Sequence, residues 1–395
     1  MKSAALMEEQ VLEVMVPERK QRVMVVFGTR PEGIKMMPVV RELRNRASLD
    51  TLVVVTGQHR QMLDQVFEVF KERPDVDLNL MTPGQTLAAI TARVIEEMSK
   101  VYASHCPDVV LVHGDTTTAM AAAVAAFYAQ VAVGHVEAGL RSFDLKRPWP
   151  EEFNRVTIDG LADLMFAPTA AAAENLAREY NRRGKVIVTG NTGIDAILQM
   201  TAIVASDPRL SAKLRDRYGF LDAGKRLILV TGHRRESFGG GFERICEALA
   251  LIAQRGDVEI LYPVHLNPNV QGVVKERLGA QPGVHLIEPV DYADMAYLMR
   301  RASLLLTDSG GIQEEGPALG RPVLVMRDVT ERPEAIETGA ARLVGTDPAV
   351  IIREITLLLD DAGEYARRSR PVFPYGDGTA ALKIADAIEL FDRKN

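Results

Sequence analysis

The sequence predicts an α/β protein made of two Rossmann-like, doubly wound domains facing a central cleft. Three observations predict it. Short apolar, β-rich runs alternate with helical stretches from Val23 onward, the pattern of a parallel sheet covered by helices. The alternation begins afresh at Leu227. Nearly every polar motif follows the carboxyl end of a predicted strand, the edge at which open α/β sheets bind ligands.

Residues 1–20 mix Met, Glu and Val without a start signal and read as an extension. Val23–Phe27 is a strand of the buried parallel type, followed by Gly28-Thr29-Arg30-Pro31-Glu32-Gly33-Ile34-Lys35 and a helix to about Arg46. Leu52–Val55 is the second strand, with Gln58-His59-Arg60-Gln61 at a helix start. A helix from Thr86 to about Ser104 leads to the strand Val109–Val112, which ends in His113-Gly114-Asp115. Val131–Val136 ends in Glu137, and shorter strands follow at Leu164–Phe166 and Val186–Thr189. The second set comprises Leu227–Val230, Val258–Leu261, Val284–Ile287, Leu304–Leu306 and Val323–Met326. The chain thus divides into an N-terminal domain over 21–190 and a C-terminal domain over 191–378. A last helix, about 379–393, crosses back onto the first.

A chain of 395 residues is long for one core, which agrees with two domains. Hydrophobic content of 47% and charged content of 25% are ordinary for a globular protein. A net charge of −6 gives no reason to expect nucleic acid. Cys106 and Cys246 are distant and form no CxxC pair, so neither a disulfide framework nor a zinc site is expected, and a reducing cytoplasm fits. No signal peptide is visible. The longest apolar run, Ala119 to Ala129, is too short to span a bilayer and reads as a buried helix.

Thr307-Asp308-Ser309-Gly310-Gly311-Ile312-Gln313-Glu314-Glu315 reads as a strand, a Ser-Gly-Gly turn and a helix start. Glycines admit a ligand close to the backbone, and the free N–H groups of a first helical turn suit a phosphate. Glu315 lies about a turn and a half into that helix, where a carboxylate near a phosphate needs a donor such as a ribose hydroxyl pair; a tight strand–helix turn with a surface glutamate is the other reading. Gly28 to Lys35 resembles a phosphate loop but lacks the Lys-Ser/Thr after its second glycine, which excludes an ATPase of that class; Arg30 and Lys35 remain phosphate candidates. Gly376-Asp377-Gly378 fits a dinucleotide pattern only weakly and reads as a turn into the last helix, so no nicotinamide cofactor is expected.

Asp115, Glu137 and Glu151 fall on one rim, with Arg141, Arg155, His233 and Arg234 as basic company. Their spacing is sparse for a metal site. Acid–base work on a substrate and a structural salt-bridge network are the two readings. Glu152 reads as a solvated neighbour. His233, at a strand end beside two arginines, is placed for phosphate contact or general acid work.

Taken in order, GTRPEGIK, QHRQMLDQV, LVHGDTTT, GHVEAGLRS, PWPEEFNR, TGNTGID, TGHRRESFG, YPVHLNPNV, LTDSGGIQEEGP, RDVTERPE and PYGDG resemble the non-hydrolysing UDP-N-acetylglucosamine 2-epimerases from about Val23 to Leu390. The resemblance implies the two-lobed glycosyltransferase-B-type fold, a homodimer and no cofactor or metal. It implies epimerisation at carbon 2 by eliminating UDP to 2-acetamidoglucal and adding it back. Arg30, His233, Ser309, Gly310, Glu315 and Arg332 match UDP-binding positions, and Lys35 and Arg155 supporting ones. Asp115, Glu137, Glu151 and His233 match catalytic positions. Bacterial members also bind a second UDP-N-acetylglucosamine as an activator, at positions matched by Gln58, Gln61, Gln85, Glu151, Arg234 and His265; Gly84 stands where some members have Arg. Phe373 and Gly33 are further small departures.

Four other readings compete. A UDP-sugar-dependent glycosyltransferase of the same fold would need an acceptor groove and one base, not several acids. A hydrolysing epimerase is often fused to a kinase domain, which is absent from this sequence. An epimerase for a diacetamido uronic acid is separated only weakly. A non-catalytic sensor would not need Asp115 and Glu137.

Overall fold

The structure, a computed structural model, describes residues 19–57, 60–82, 84–179, 184–234 and 238–391. The expected extension lies outside them except for Arg19 and Lys20. The first half alternates as β1 (Gln21–Phe27), α1 (Arg30–Arg44), β2 (Leu49–Val55), α2 (Arg60–Phe70), β3 (Val76–Asp77), α3 (Leu87–His105), β4 (Val109–His113), α4 (Thr117–Tyr128), β5 (Ala132–Val136), α5 (Glu151–Leu161), β6 (Leu164–Ala167), α6 (Ala170–Ala177) and β7 (Lys185–Val188). Two helices, α7 (Thr192–Ser206) and α8 (Pro208–Arg217), follow. The second half runs β8 (Arg226–Thr231), α9 (Gly241–Ala253), β9 (Val258–Pro263), α10 (Pro268–Leu278), β10 (Val284–Ile287), α11 (Tyr292–Arg301), β11 (Leu304–Thr307), α12 (Gly310–Ala318), β12 (Val323–Val325), α13 (Pro333–Glu337) and β13 (Ala341–Leu343). The chain ends in α14 (Pro348–Asp360), α15 (Ala362–Arg368) and α16 (Ala380–Glu389).

Both sheets are parallel throughout their paired strands. The first has the order β3-β2-β1-β4-β5-β6-β7 and the second β10-β9-β8-β11-β12-β13. Each order reverses once, between β1 and β4 and between β8 and β11. At such a switch point neighbouring loops diverge and open a crevice beyond the strand ends. β1 pairs β4 from Val23↔Val109 to Val26↔Val112, and β8 pairs β11 from Ile228↔Leu304 to Thr231↔Thr307. Those registers bring the loops after Phe27 and His113 together on one side, and those after Thr231 and Thr307 on the other.

The buried strands are rich in Val, Ile and Leu, as parallel strands covered on both faces require. One core cluster includes Val25 and Phe27 of β1, Ile197 and Met200 of α7, Leu229 of β8 and Ile384 and Ile388 of α16. It is therefore continuous between the two sheets. The outer faces have cores of their own, under α3 and α4 in the first half and under α9, α10 and α14 in the second. The apolar run at Ala119 is buried in α4, and Tyr102 closes its rear by donating to the carbonyl of Ala122 at 3.1 Å. Among the described residues no helix is long and apolar enough to cross a membrane.

Sequence reading missed the two edge strands β3 and β13, of two and three residues. Neither is long enough to show a strand period. The first helix ends at Arg44, not Arg46, with Asn45 as its cap.

The last helix is tied to α7 at its start. Asp195, buried in α7, accepts from the backbone N–H of Ala380 at 3.3 Å and of Ala381 at 2.9 Å. No side chain of Thr379 caps that end, so Asp195 takes the place of a local N-cap. Asp195→Ala should therefore lower the unfolding free energy by about 1–3 kcal/mol, the usual loss for stranding buried donors. Urea denaturation measures it, and an unchanged midpoint would show that water replaces the carboxylate.

Candidate active site

The loop after β1 is held from inside. Thr29 caps α1, and Glu32 completes the capping box by accepting from Gly28 N at 3.1 Å and Thr29 N at 2.7 Å. Glu32 is buried and also accepts from the Thr116 hydroxyl at 2.6 Å. That last bond ties the loop after β1 to the loop after β4 across the switch point. Glu32 is a fixed support, and it frees Arg30 and Lys35 to point elsewhere. The Arg30 guanidinium donates to the carbonyl of Val290, between β10 and α11, at 3.2 Å. Burial lowers its pKa, with Asp291 acting in the opposite sense.

Lys35 pairs with Glu137, just beyond β5. Glu137 has φ 70°, a left-handed backbone for a non-glycine residue. Such a conformation costs about 1–3 kcal/mol and persists where surrounding contacts over-determine it, commonly at functional sites. Burial would raise the Glu137 pKa, but Lys35, His113 and Arg332 outweigh it and hold the carboxyl well below the usual range. Burial opposes the charge on Lys35 too, yet Glu137 and Glu314 prevail and its pKa is raised. His113 Nε2 lies 3.9 Å from Glu137 Oε2, buried and without a hydrogen-bond partner. Burial pushes that imidazole down to about 3, so it is neutral.

Asp115 follows at the end of β4. It pairs with Arg155 of α5, and its carbonyl accepts from the Asn154 amide at 2.8 Å. Burial raises its pKa; Arg155 opposes this, while Glu137 and Glu151 push it further up. Asp115 thus feels both of the other acids. Three of the four expected basic partners, Arg141, His233 and Arg234, pair with other acids. Arg141 is buried against Asp159 at 2.7 Å and Glu179 at 2.6 Å. His135 is also structural, held between Asp159 at 2.6 Å and the Gly114 carbonyl at 2.7 Å. Arg234 reaches Glu331 at 3.4 Å.

One expectation is overturned. Glu152 is not a solvated neighbour but is 1% exposed. It accepts from the backbone N–H groups of Ser142 at 2.9 Å and Phe143 at 3.0 Å and lies 3.5 Å from Arg155. Sequence gave no sign of this, because its partners are main-chain groups of a loop.

Opposite these acids stands the amino end of α12. Ser309 occupies the N-cap without using its hydroxyl on the helix, which leaves the first-turn N–H groups as an anion site. A Cβ on Gly310 would sit 3.6 Å from Glu331 Oε1 and 3.9 Å from guanidinium nitrogens of Arg234 and Arg332. Two cations therefore flank the turn. Asp308, buried, accepts from the backbone N–H of His233 at 2.6 Å and of Arg234 at 2.7 Å, and lies 3.1 Å from His233 Nδ1. These bonds outweigh burial and lower its pKa; they also fix the loop after β8 against the loop after β11. The half-exposed His233 ring stacks on His265 at 5.6 Å. Deeper along α12, Glu315 accepts from the Tyr292 hydroxyl at 3.1 Å, and burial lifts its carboxyl to about 8.

Glu314 and Asn191 were not foreseen. Glu314 is buried and pairs with Arg332, whose charge is stabilised. The Asn191 amide donates to Glu137 and to Glu314, each at 2.9 Å. Of the proposed activator positions, Arg234 follows β8 and His265 follows β9 on the second half. Glu151 begins α5, and Gln85 is engaged locally with Thr82 N at 3.0 Å and the Leu80 carbonyl at 3.2 Å. Gln61 falls in the first turn of α2, and Gln58 lies outside the described residues. Among the described residues no group of three or more His, Cys, Asp or Glu is arranged to hold a metal ion.

Comparison with known proteins shows the family and the fold. The profile of the UDP-N-acetylglucosamine 2-epimerase family matches residues 41–389. The UDP-N-acetylglucosamine 2-epimerase of Escherichia coli K12 is 53% identical over 369 residues, 93% of this chain and 98% of that protein. The Neisseria meningitidis enzyme, solved bound to UDP-GlcNAc, superposes with a TM-score of 0.86 at 43% identity, covering 95% and 100% of the two chains. The Methanocaldococcus jannaschii enzyme, solved with UDP-GlcNAc and UDP, gives 0.78 at 33% over 94% and 100%. A glycosyltransferase of Rickettsia africae gives 0.62 at 13% over 94% and 100%, a likeness of fold alone. The architecture is thus of the glycosyltransferase-B type.

The corrected role of Glu152 is measurable. Glu152→Ala removes a charged acceptor shared by two backbone N–H groups and should cost about 1–3 kcal/mol in chemical denaturation. Trp149, the only tryptophan and 66% exposed, lies on the loop that Glu152 anchors. Its fluorescence anisotropy should fall in the variant; unchanged anisotropy would mean that the loop holds itself.

Proposed function

The chain belongs to the UDP-N-acetylglucosamine 2-epimerase family and has that family's enzymatic activity, and from this we propose that its cleft works by eliminating UDP and adding it back. The observation that carries the proposal is the division of the cleft. Asp115, Glu137 and Glu151 gather on the first sheet with Lys35 and Arg155. The α12 amino end with Arg234 and Arg332 faces them from the second.

The proton on carbon 2 of the sugar is not beside a carbonyl, so removing it directly is difficult. Elimination avoids this: a base takes the carbon-2 proton, the bond from carbon 1 to the phosphate oxygen breaks, and UDP leaves with the electron pair. A double bond then joins carbons 1 and 2 of 2-acetamidoglucal. Return of a proton to the other face, with UDP re-adding at carbon 1, gives UDP-N-acetylmannosamine. The site needs unequal acids, one to take a proton and one to give it. Asp115, with its raised pKa, is the acid able to carry a proton to give; Glu137, held low, stays ionised and able to take one. Glu151 and His233 complete the catalytic set.

UDP is held by Arg30, His233, Ser309, Gly310 and Arg332, with the ribose hydroxyls on Glu315. Lys35 and Arg155 keep Glu137 and Asp115 in place. A second UDP-N-acetylglucosamine binds as activator along Gln58, Gln61, Gln85, Glu151, Arg234 and His265; the His265 ring stacks on His233, the neighbour of Arg234. Residues 21–190 with the helix at 379–393 form one domain and 191–378 the UDP-binding one, and two copies form a homodimer. The product supplies a cell-surface polysaccharide, and the work is done in the cytoplasm.

Proton NMR in heavy water tests the mechanism. UDP-N-acetylmannosamine should appear with deuterium at carbon 2 and no net free UDP; product retaining the original hydrogen in full would exclude exchange at a carboxylate. Asp115→Asn and Glu137→Gln should each reduce kcat by about 100-fold or more while UDP still binds.

Glu315 adds a pH dependence. With its carboxyl at about 8 in the free enzyme, UDP selects the ionised acceptor. Affinity should weaken as pH falls below about 8, approaching tenfold per unit. Calorimetry from pH 6 to 9 reads this, and Glu315→Gln should abolish the slope. An equal slope in the variant would assign it to another group.

A further inference from the structure

Asn191 stands where the chain leaves the first sheet and enters α7. Its main chain is fixed by a 2.6 Å bond from its N–H to the Tyr375 carbonyl. Next to it, Gly190 at φ 94° packs so closely on Gly376 that a Cβ would come 2.9 Å from the Gly376 Cα. The side chain is 4% exposed and uses every polar group in sight. Its oxygen accepts from Gly193 N at 2.8 Å as the N-cap of α7. Its nitrogen donates to Glu137 Oε1 and Glu314 Oε2, both at 2.9 Å.

An N-cap alone does not require asparagine, because serine or aspartate would serve. The two donated bonds do. Serine has one donor and aspartate none. A nitrogen facing two carboxylates and an oxygen facing an N–H also settle the orientation of the amide. The residue is therefore chosen by the pair it separates. Glu137 belongs to the acids of the first sheet, and Glu314 belongs to α12 and is held by Arg332 of the anion site.

We propose that Asn191 is a positioning residue that ties the catalytic carboxylate Glu137 to the Glu314–Arg332 arm of the diphosphate site across the cleft. The order Lys35, Glu137, Asn191, Glu314, Arg332 alternates cation, anion, amide, anion, cation. A diphosphate that draws Arg332 toward itself leaves Glu314 more dependent on Asn191 and on Lys35, which also feels Glu314. Both are partners of Glu137. Occupancy of the phosphate site is thereby transmitted to the group that handles the proton. This rests on the reading of Glu137 given above.

The test uses the full-length enzyme. Asn191→Ser keeps an N-cap oxygen and removes the paired donors. It should lower kcat about 10–100-fold, the usual loss when a partner behind a site residue is removed, while UDP affinity changes less than about threefold. With one fewer hydrogen bond to its charged form, Glu137 becomes harder to ionise, so the acidic limb of the kcat/KM profile should move to higher pH. Asn191→Asp, which keeps the cap bond and sets a third carboxylate between the two, should move it further and serves if the serine variant does not fold. Wild-type kcat with an unmoved limb would overturn the proposal. So would a fall in kcat with an unmoved limb, since a merely structural residue does that. Glu137→Gln separates the two levels. If it keeps full turnover, the reading of Glu137 fails; if it is inactive while Asn191→Ser is normal, only the present inference fails.

Discussion

The cleft depends on keeping two neighbouring carboxylates, Glu137 and Glu314, ionised out of bulk water. A buried charge without a partner costs several kcal/mol, and two like charges side by side cost more. Here each carboxylate has its own cation, Lys35 or Arg332, and the Asn191 amide lies between them. Such a chain is strong only while complete, because removing one member leaves a charge stranded. That explains why the groups come from both sheets and from the crossing between them. The position of one lobe against the other is part of the electrostatics.

The crossing also joins two switch points that are each braced internally. Glu32 accepts from the loop after β1 and from Thr116 of the loop after β4. Asp308 accepts from the loop after β8 while standing in the loop after β11. The same device, one buried carboxylate accepting a hydrogen bond across a strand-order reversal, recurs in both halves. Each brace consumes an acid that would otherwise resemble a catalytic one. A glutamate or aspartate beyond a strand end is thus either a brace or a reagent, and its burial and partners decide which.

That distinction sets what could be read from the sequence. Strand–helix alternation and its restart at Leu227 were legible because buried parallel strands are apolar throughout. The rim positions of Asp115, Glu137 and Ser309 followed from the strand ends. Thr29-x-x-Glu32 is a capping-box spacing visible in the sequence, and its meaning was hidden by the resemblance of the surrounding loop to a phosphate binder. Glu152 was misread because its partners, Ser142 N and Phe143 N, belong to irregular backbone that no side-chain pattern reports. Glu314 and Asn191 were out of reach for a different reason. Their role exists only when residues 123 apart in sequence meet.

The glycosyltransferase fold itself does not choose between transfer and epimerisation; the acids do. A transferase lets the sugar depart to an acceptor and needs one base. An elimination that must be reversed holds two fragments, one neutral and one strongly anionic, until they recombine. The anion can be retained by the α12 amino end and its arginines, but the neutral glucal has no charge to hold it. It is kept only if the lobes stay closed around it. The continuous core through α7 and α16, the Arg30 bond to the Val290 carbonyl and the Asn191 bridge all join the halves. Under the elimination proposed above, a cleft fastened at these points would keep the uncharged intermediate by geometry while charge keeps its partner.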